Sequence, residues 1–152
     1  MPTATMTAAQ VAEYALQIDI AAPPERVWRG LTDQVHSWWL PDFHALGEDS
    51  EVTLDATAGG HLVERQGERS LLWFTVLAVA PNESISLSGQ CTPEWGGPYS
   101  TLLTLKLEAT AGGTRLHVTD ALYGHVGEKQ VNSLSSGWQR LFGDGLKKAL
   151  ES

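Results

Sequence analysis

Two carboxylates are the residues of this chain best placed for acid–base chemistry. Asp120 shares an alternating face with Leu116, Val118 and Leu122, and Glu64 shares one with Leu62. A carboxylate inside a mostly apolar cavity is costly unless paired, and desolvation raises its pKa toward the range useful for proton transfer. Arg65, Arg69 and Arg115 are the cations available for pairing, yet strict alternation puts Arg65 and Arg115 on the opposite face. Asp120 also lies near a strand end, and the plainer expectation is that it is solvated or caps a turn.

The six Trp are the stronger lead. Trp38 and Trp39 end a short helix, Trp73 falls mid-strand, Trp95 lies in a loop rich in Gly and Pro, and Trp138 is on the sheet-facing side of the last helix. Aromatic side chains give flat apolar walls with a polar N–H for orientation, which suits a flat or aromatic ligand. The competing expectation is that Trp28, Trp73 and Trp138 are simply core. For Trp95 a lid or interface role weighs equally.

Other chemistry is thinly represented. The five His include no pair at the helical i, i+4 spacing of a zinc site, and Cys91 has no partner for a metal or a disulfide, so no metal or cofactor is implied. His44, close to the Trp38–Trp39 pair, is the one His to test as a ligand contact. There is no Gly-x-Ser-x-Gly elbow, no phosphate loop and no dinucleotide fingerprint. Ser133, Ser135 and Ser136 read as caps or surface residues.

The elements that must position these residues can be read from periodicity. Residues 1–12 read as a loose leader, and 13–152 as a single domain. Glu13 to Ile20 alternates as a half-buried strand. Pro24 and Glu25 open a helix with Val27, Trp28 and Leu31 buried, and Asp33 can cap a second short helix over Gln34 to Trp39. Six further strands follow as a meander: Glu51 to Thr57, His61 to Gln66, Leu71 to Ala80, Ser84 to Gln90, Tyr99 to Thr110 and Thr114 to Leu122. From Glu128 to Leu150, Val131, Leu134, Trp138, Leu141, Phe142, Leu146 and Ala149 fall at spacings of three and four, the signature of one long amphipathic helix. The order strand, two helices, six antiparallel strands and long helix belongs to the α+β class. Gly137 and Gly145 inside the last helix point to close packing, a bend, or room left for a ligand.

The strand Leu71 to Ala80 is apolar on both faces, Trp73, Leu77 and Val79 alternating with Phe74, Val76 and Ala78, and a sheet-mediated homodimer would explain it. The chain of 152 residues carries a formal charge of −8. That balance disfavours nucleic acid and anionic membrane surfaces. No apolar run approaches the ~20 residues of a membrane span. With no secretory signal and a lone Cys91, the default location is cytoplasmic.

Several phrases carry a resemblance. They are Ala22-Pro23-Pro24-Glu25-Arg26-Val27-Trp28 after the first strand, Ser37-Trp38-Trp39, and Ala58-Gly59-Gly60-His61 with Glu64-Arg65. Val76 to Pro81, Gly112-Gly113-Thr114-Arg115-Leu116 and Gly137-Trp138 complete the set. In order and spacing, over Glu13 to Leu150, the chain resembles the START-like (SRPBCC) superfamily with its helix-grip fold, and within it the activator of heat-shock-protein ATPase homologue family. The resemblance implies a seven-stranded antiparallel curved sheet wrapped round a long C-terminal helix, two short helices after the first strand, and an apolar cavity between helix and sheet. It fixes no single activity, because the superfamily spans lipid carriers, hormone receptors and aromatase/cyclases.

Three functions are compatible with these residues. The first is binding of a small apolar or aromatic molecule, with Trp38, Trp39, His44, Trp73, Trp95, Leu103, Tyr123, Trp138 and Phe142 as contacts. The second is a cyclase or dehydratase in the same cavity, with Asp120, Glu64 or a His as acid or base. The third is a protein-interaction, co-chaperone-like module, although no stretch of the sequence marks a chaperone-binding surface.

Overall fold

The computed structural model describes residues 2–152; Met1, the first residue of the expected leader, lies outside them. Strand β1 (Gln10–Ile20) is followed by helices α1 (Pro24–Thr32) and α2 (Val35–Trp38), then by β2 (Glu51–Leu54), β3 (His61–Gln66), β4 (Arg69–Ala80), β5 (Ser84–Cys91), β6 (Tyr99–Thr110) and β7 (Gly113–Gly124). Helix α3 (Glu128–Arg140) runs through a stretch of π-helix, Leu141–Lys147, into α4 (Lys148–Glu151). The seven strands form one antiparallel sheet in the order β1-β7-β6-β5-β4-β3-β2, so the first strand closes the sheet against the last. This is the α+β helix-grip architecture expected from the sequence.

Three local expectations are corrected. β1 begins at Gln10 because Gln10 pairs with Gly124 in an unbroken register that ends at Ile20 and Thr114, so the end of the expected leader is strand. Asp33 does not cap α2. α1 persists to Thr32, and the Asp33 N–H closes it on the Arg29 carbonyl at 2.9 Å. The final helix is not uniformly α: the π turns interrupt it while keeping Leu141, Phe142, Gly145 and Leu146 on the buried side.

β4 departs from simple alternation for a physical reason. Its register slips at Leu62/Val63 against β3 and between Val76 and Ala78 against β5. A bulge adds a residue and switches which parity faces the core. Phe74 and Val76 therefore point inward and are buried, while Leu72 and Leu77 are 54% and 52% exposed. The apolar residues of β4 are thus mostly absorbed by one face, not two.

The core is anchored by an aromatic series. Trp39 meets Trp73 edge-on at 5.2 Å between centroids, Trp38 touches both Trp39 (5.9 Å) and Phe142 (6.0 Å), and Phe142 stacks on Trp138 at 5.8 Å. Trp138 in turn leans on Phe74 at 5.9 Å. Together with Leu141, Leu146 and Leu150, these rings clamp the second half of the final helix to the sheet and to α1 and α2. Among the described residues no helix is long and apolar enough to cross a membrane.

The two helical glycines separate on packing. A Cβ on Gly145 would stand 2.5 Å from the Trp38 carbonyl oxygen, whereas one on Gly137 would meet only the Phe43 ring edge at 3.9 Å. Gly145→Ala is therefore expected to destabilise by about 1–3 kcal/mol through overpacking. Gly137→Ala should instead stabilise by about 0.5–1 kcal/mol through helix propensity. Urea denaturation of both variants checks the contrast, and equal effects would contradict it.

Candidate functional site

The final helix is buried unevenly along its length. Leu141 and Leu146 have no exposed surface, but Leu134 and Val131, on the same stripe about two and three turns before Leu141, are only half-buried. Beside them, between the first half of α3 and the sheet, lies an open cleft of about 540 Å³. Its walls come from Leu71, Trp73 and Phe74 of β4, Leu134 and Trp138 of α3, and Trp95 of the loop after β5. Gly89 of β5 makes the floor possible, because a Cβ there would press to 2.8 Å from the Phe74 ring. Lys129, Gln130 and Ser133 rim the opening. The Gln130 side chain also accepts the Gly127 N–H at 2.9 Å, fixing the start of the helix.

Behind Thr101 and Trp138, which line the cleft, lies a buried polar group. Asp120 sits between Tyr14 of β1 and Leu103 of β6 in the sheet register and is 2% exposed. The Tyr14 hydroxyl donates to Oδ2 at 2.7 Å, and the Thr101 hydroxyl donates to Oδ1. This overturns the expectation of a solvated or turn-capping Asp120. Burial raises its pKa above the usual carboxylate value, and the hydrogen bonds from Thr101 and Tyr14 only partly oppose that. The Tyr14 phenol is also pushed up, first by burial and then by the charge on Asp120.

Trp138 reaches toward the same place. Its indole N–H comes near enough to Asp120 and Tyr14 to favour their charged forms, yet it makes no hydrogen bond of its own. It is the buried side-chain polar atom that lacks a partner among the described residues. Leaving a buried donor unpaired costs about 1–3 kcal/mol.

Glu64 occupies a different environment. It is fully buried and collects four hydrogen bonds, from the backbone N–H groups of Ala45 (3.1 Å) and Leu46 (2.7 Å), the Ser50 hydroxyl (2.6 Å) and the Trp73 indole (3.0 Å). Burial alone would raise its pKa, but those donors, Ser50 foremost, reverse the shift and hold it below the usual range. His44 Nδ1 lies 2.7 Å from Ser50 Oγ, so the series runs His44, Ser50, Glu64. Ser50 is in the middle and has no exposed surface, which excludes it as an accessible nucleophile.

The contacts expected from the sequence therefore divide. Trp73, Trp95 and Trp138 come together around the cleft. Trp38, Trp39, Leu103 and Phe142 surround an inner void of only about 40 Å³ and belong to the closed core. The Trp38 and Trp39 indoles are spent on the carbonyls of Gly30 (2.6 Å) and Phe43 (3.1 Å). His44 sits with Ser50, away from the cleft lining, and Tyr123 is 51% exposed on the outer face, opposite Leu122. Sequence reasoning missed Tyr14, Ser50, Phe74, Thr101 and Leu134 as parts of these sites. For Tyr14 the signal was present as an inward hydroxyl on an otherwise apolar strand face; Ser50, in an irregular link, gave none. Among the described residues no three His, Cys, Asp or Glu side chains are grouped to hold a metal ion.

Residues 21–151 match the family model described as "Activator of Hsp90 ATPase homolog 1-like protein". The chain belongs to this family. Among solved structures it is similar to an uncharacterized protein from Rhizobium leguminosarum, with a TM-score of 0.73 and 23% identity over 97% of this chain and 99% of that one. It is also similar to the Aha1 dimer from Colwellia psychrerythraea, with a TM-score of 0.63 and 22% identity over 92% and 96%. A third, DynU16 of the dynemicin biosynthetic locus, gives a TM-score of 0.66 and 20% identity, with 92% of this chain matching 47% of that one. At these identities the likeness is one of fold. Among curated proteins, none matches the chain.

The two carboxylates pull acid stability in opposite directions. Glu64, with a depressed folded pKa, contributes stability above its ordinary 4.5 that is lost as pH falls through the folded value. Asp120, with a raised folded pKa, makes the folded state bind the extra proton, so its contribution improves as pH falls toward 3.8. Glu64→Gln is expected to cost about 2–3 kcal/mol at neutral pH through lost charge-assisted hydrogen bonds. It should also flatten the loss of stability below pH 4.5. Denaturation midpoints across pH 3 to 7, roughly the interval between carboxylate and imidazole titration, measure both effects.

Proposed function

We propose that this family member binds a small apolar or aromatic molecule in the cleft between α3 and the sheet. The observation that carries the reading is the open cleft of about 540 Å³ beside the less buried first half of α3, with Trp73, Phe74, Trp95 and Trp138 around it. A helix evolved only to close a core would bury Leu134 as completely as Leu141. Aromatic walls with few polar groups favour a ligand whose surface is mostly apolar. An enzymatic use of the cavity has less support, because Glu64 is saturated with donors and both Asp120 oxygens already accept hydroxyls. A cytoplasmic location accompanies this reading, in keeping with the unpaired Cys91.

Intrinsic Trp fluorescence and thermal shift against a library of uncharged aromatic metabolites test the proposal. At least one compound is expected to raise the melting temperature and change Trp emission. Leu134→Trp with Ser133→Trp, which crowd the cleft from its helix wall, should weaken that response while leaving the fold intact. A response undiminished by the crowding would place binding elsewhere, and no response from any compound would remove the proposal's support.

Self-association is a second reading favoured by a separate observation. On the outer face Val11 pairs with Tyr123, and Leu102 lies on the same side two positions along; the three are 75%, 51% and 41% exposed. The relative from Colwellia psychrerythraea was solved as a dimer. A homodimer through this face predicts a concentration-dependent sedimentation coefficient that Leu102→Lys returns to the monomer value. A single monomeric species at every concentration would exclude it.

A further inference from the structure

The cleft beside α3 carries a charged residue whose position nothing within the chain explains. Lys129 lines the cleft and is exposed, and among the described residues no Asp or Glu lines it as well. Ion pairs within the described residues do not include Lys129. At the spacings that bring side chains together on a helix stand His125, Val126, Asn132 and Ser133, so no carboxylate answers it from its own face. It also falls in the first turn of α3, the positive end of the helix, where Glu128 is suited and a cation is not. Helix stability therefore gives no reason for a Lys here, and the cleft does.

The polar groups around Lys129 lean the same way. Gln130 engages its carbonyl oxygen with the Gly127 N–H at 2.9 Å, which leaves its NH₂ for a ligand. Trp95, on the loop wall, can only donate. On the opposite count, Thr101 and Trp138 back onto the Asp120 carboxylate, so an anion turned toward that wall meets a like charge.

Resting on the binding reading above, we infer that the ligand is an amphipathic acid, with an apolar ring-bearing body against Trp73, Phe74, Leu134 and Trp138 and its carboxylate at the start of α3 beside Lys129. Along the helix axis Lys129 and Trp138 are separated by about 13 Å, which sets the direction of the ligand: head at the helix start, body toward Trp138. A neutral amide in the same place satisfies donors without answering the charge, and an ammonium group is repelled. Because Lys129 stays in contact with water, the pair acts as a surface ion pair does, selecting among ligands whose affinity comes from the apolar walls.

Three probes of one shape separate these chemistries: 2-naphthylacetate, 2-naphthylacetamide and 2-(2-naphthyl)ethylammonium. Each is titrated by calorimetry into the full chain at neutral pH and low salt. The acid is expected to bind about two- to fivefold more tightly than the amide, with the ammonium probe weakest. Added salt should narrow that gap, as it does for exposed charges. Lys129→Gln, a change at an exposed position that leaves the walls in place, should bring acid and amide to equal affinity, and Lys129→Glu should make the ammonium probe the tightest of the three. Equal binding of acid and amide by the unmodified chain, or a preference for the ammonium probe, overturns the acid assignment while leaving binding in the cleft standing. An acid preference undiminished in Lys129→Gln overturns the part given to Lys129. Failure of all three probes to bind overturns both this inference and the binding reading.

Discussion

The contact on which the rest of the structure depends is the aromatic clamp of Trp38, Phe142, Trp138 and Phe74. These rings, with Leu141 and Leu146 behind them, tie the second half of the final helix to α2 on one side and to the sheet on the other. Stacked aromatic pairs contribute about 0.5–1.5 kcal/mol each beyond their buried area, and the area itself is large. The clamp therefore fixes the helix axis. With that half fixed, the course of the first half of α3 over the sheet follows from geometry, and it forms one wall of the cleft.

Close approach at the clamp requires an absent side chain. Gly145 brings the helix backbone onto the Trp38 carbonyl, and the π turns around it accommodate that contact without turning Leu141 or Leu146 away from the core. A regular α-helix carrying Ala at this position would have to move outward, loosening the clamp and changing the tilt. Gly89 does the same service from the sheet side, where Phe74 lies across its Cα. Two missing Cβ atoms thus permit two close approaches, one of the final helix to Trp38 of α2 and one of the Phe74 ring to the neighbouring strand β5.

Much of the fold was legible because its determinants are periodic. The alternation of β6 and β7 and the three–four spacing of the final helix gave elements whose bounds agree closely with the structure. The errors fall where periodicity is locally broken. β4 looked apolar on both faces because two bulges reset its parity, and a bulge is a register relation between strands that no single strand encodes. The site was harder. Trp73, Trp95 and Trp138 were found by residue type, but Trp38, Trp39, Leu103 and Phe142 are indistinguishable from them by type and are core only because the helix closes over them. Tyr123 and Tyr99 illustrate the same point on facing strands: both are strand-end aromatics, and only parity decides that one is exposed and the other buried.

The contrast between the two buried carboxylates shows how one fold gives like residues unlike roles. Glu64 sits beneath an irregular loop, and loops bring free backbone N–H groups; two of them, with Ser50 and Trp73, compensate the charge fully. The charge then serves to order the loop of residues 44–50, where it is the acceptor for the Ala45 and Leu46 N–H groups. Asp120 lies within a sheet, where most backbone N–H groups are already committed to neighbouring strands, so side chains supply most of its compensation. Tyr14 and Thr101 do so in part, the pKa remains raised, and the nearby indole N–H remains unpaired. Glu64 is held ionised by its donors, and Asp120 is stabilised less completely. That difference, which residue type alone conceals, follows from where each carboxylate sits, one beneath a loop with free N–H groups and the other within a paired sheet.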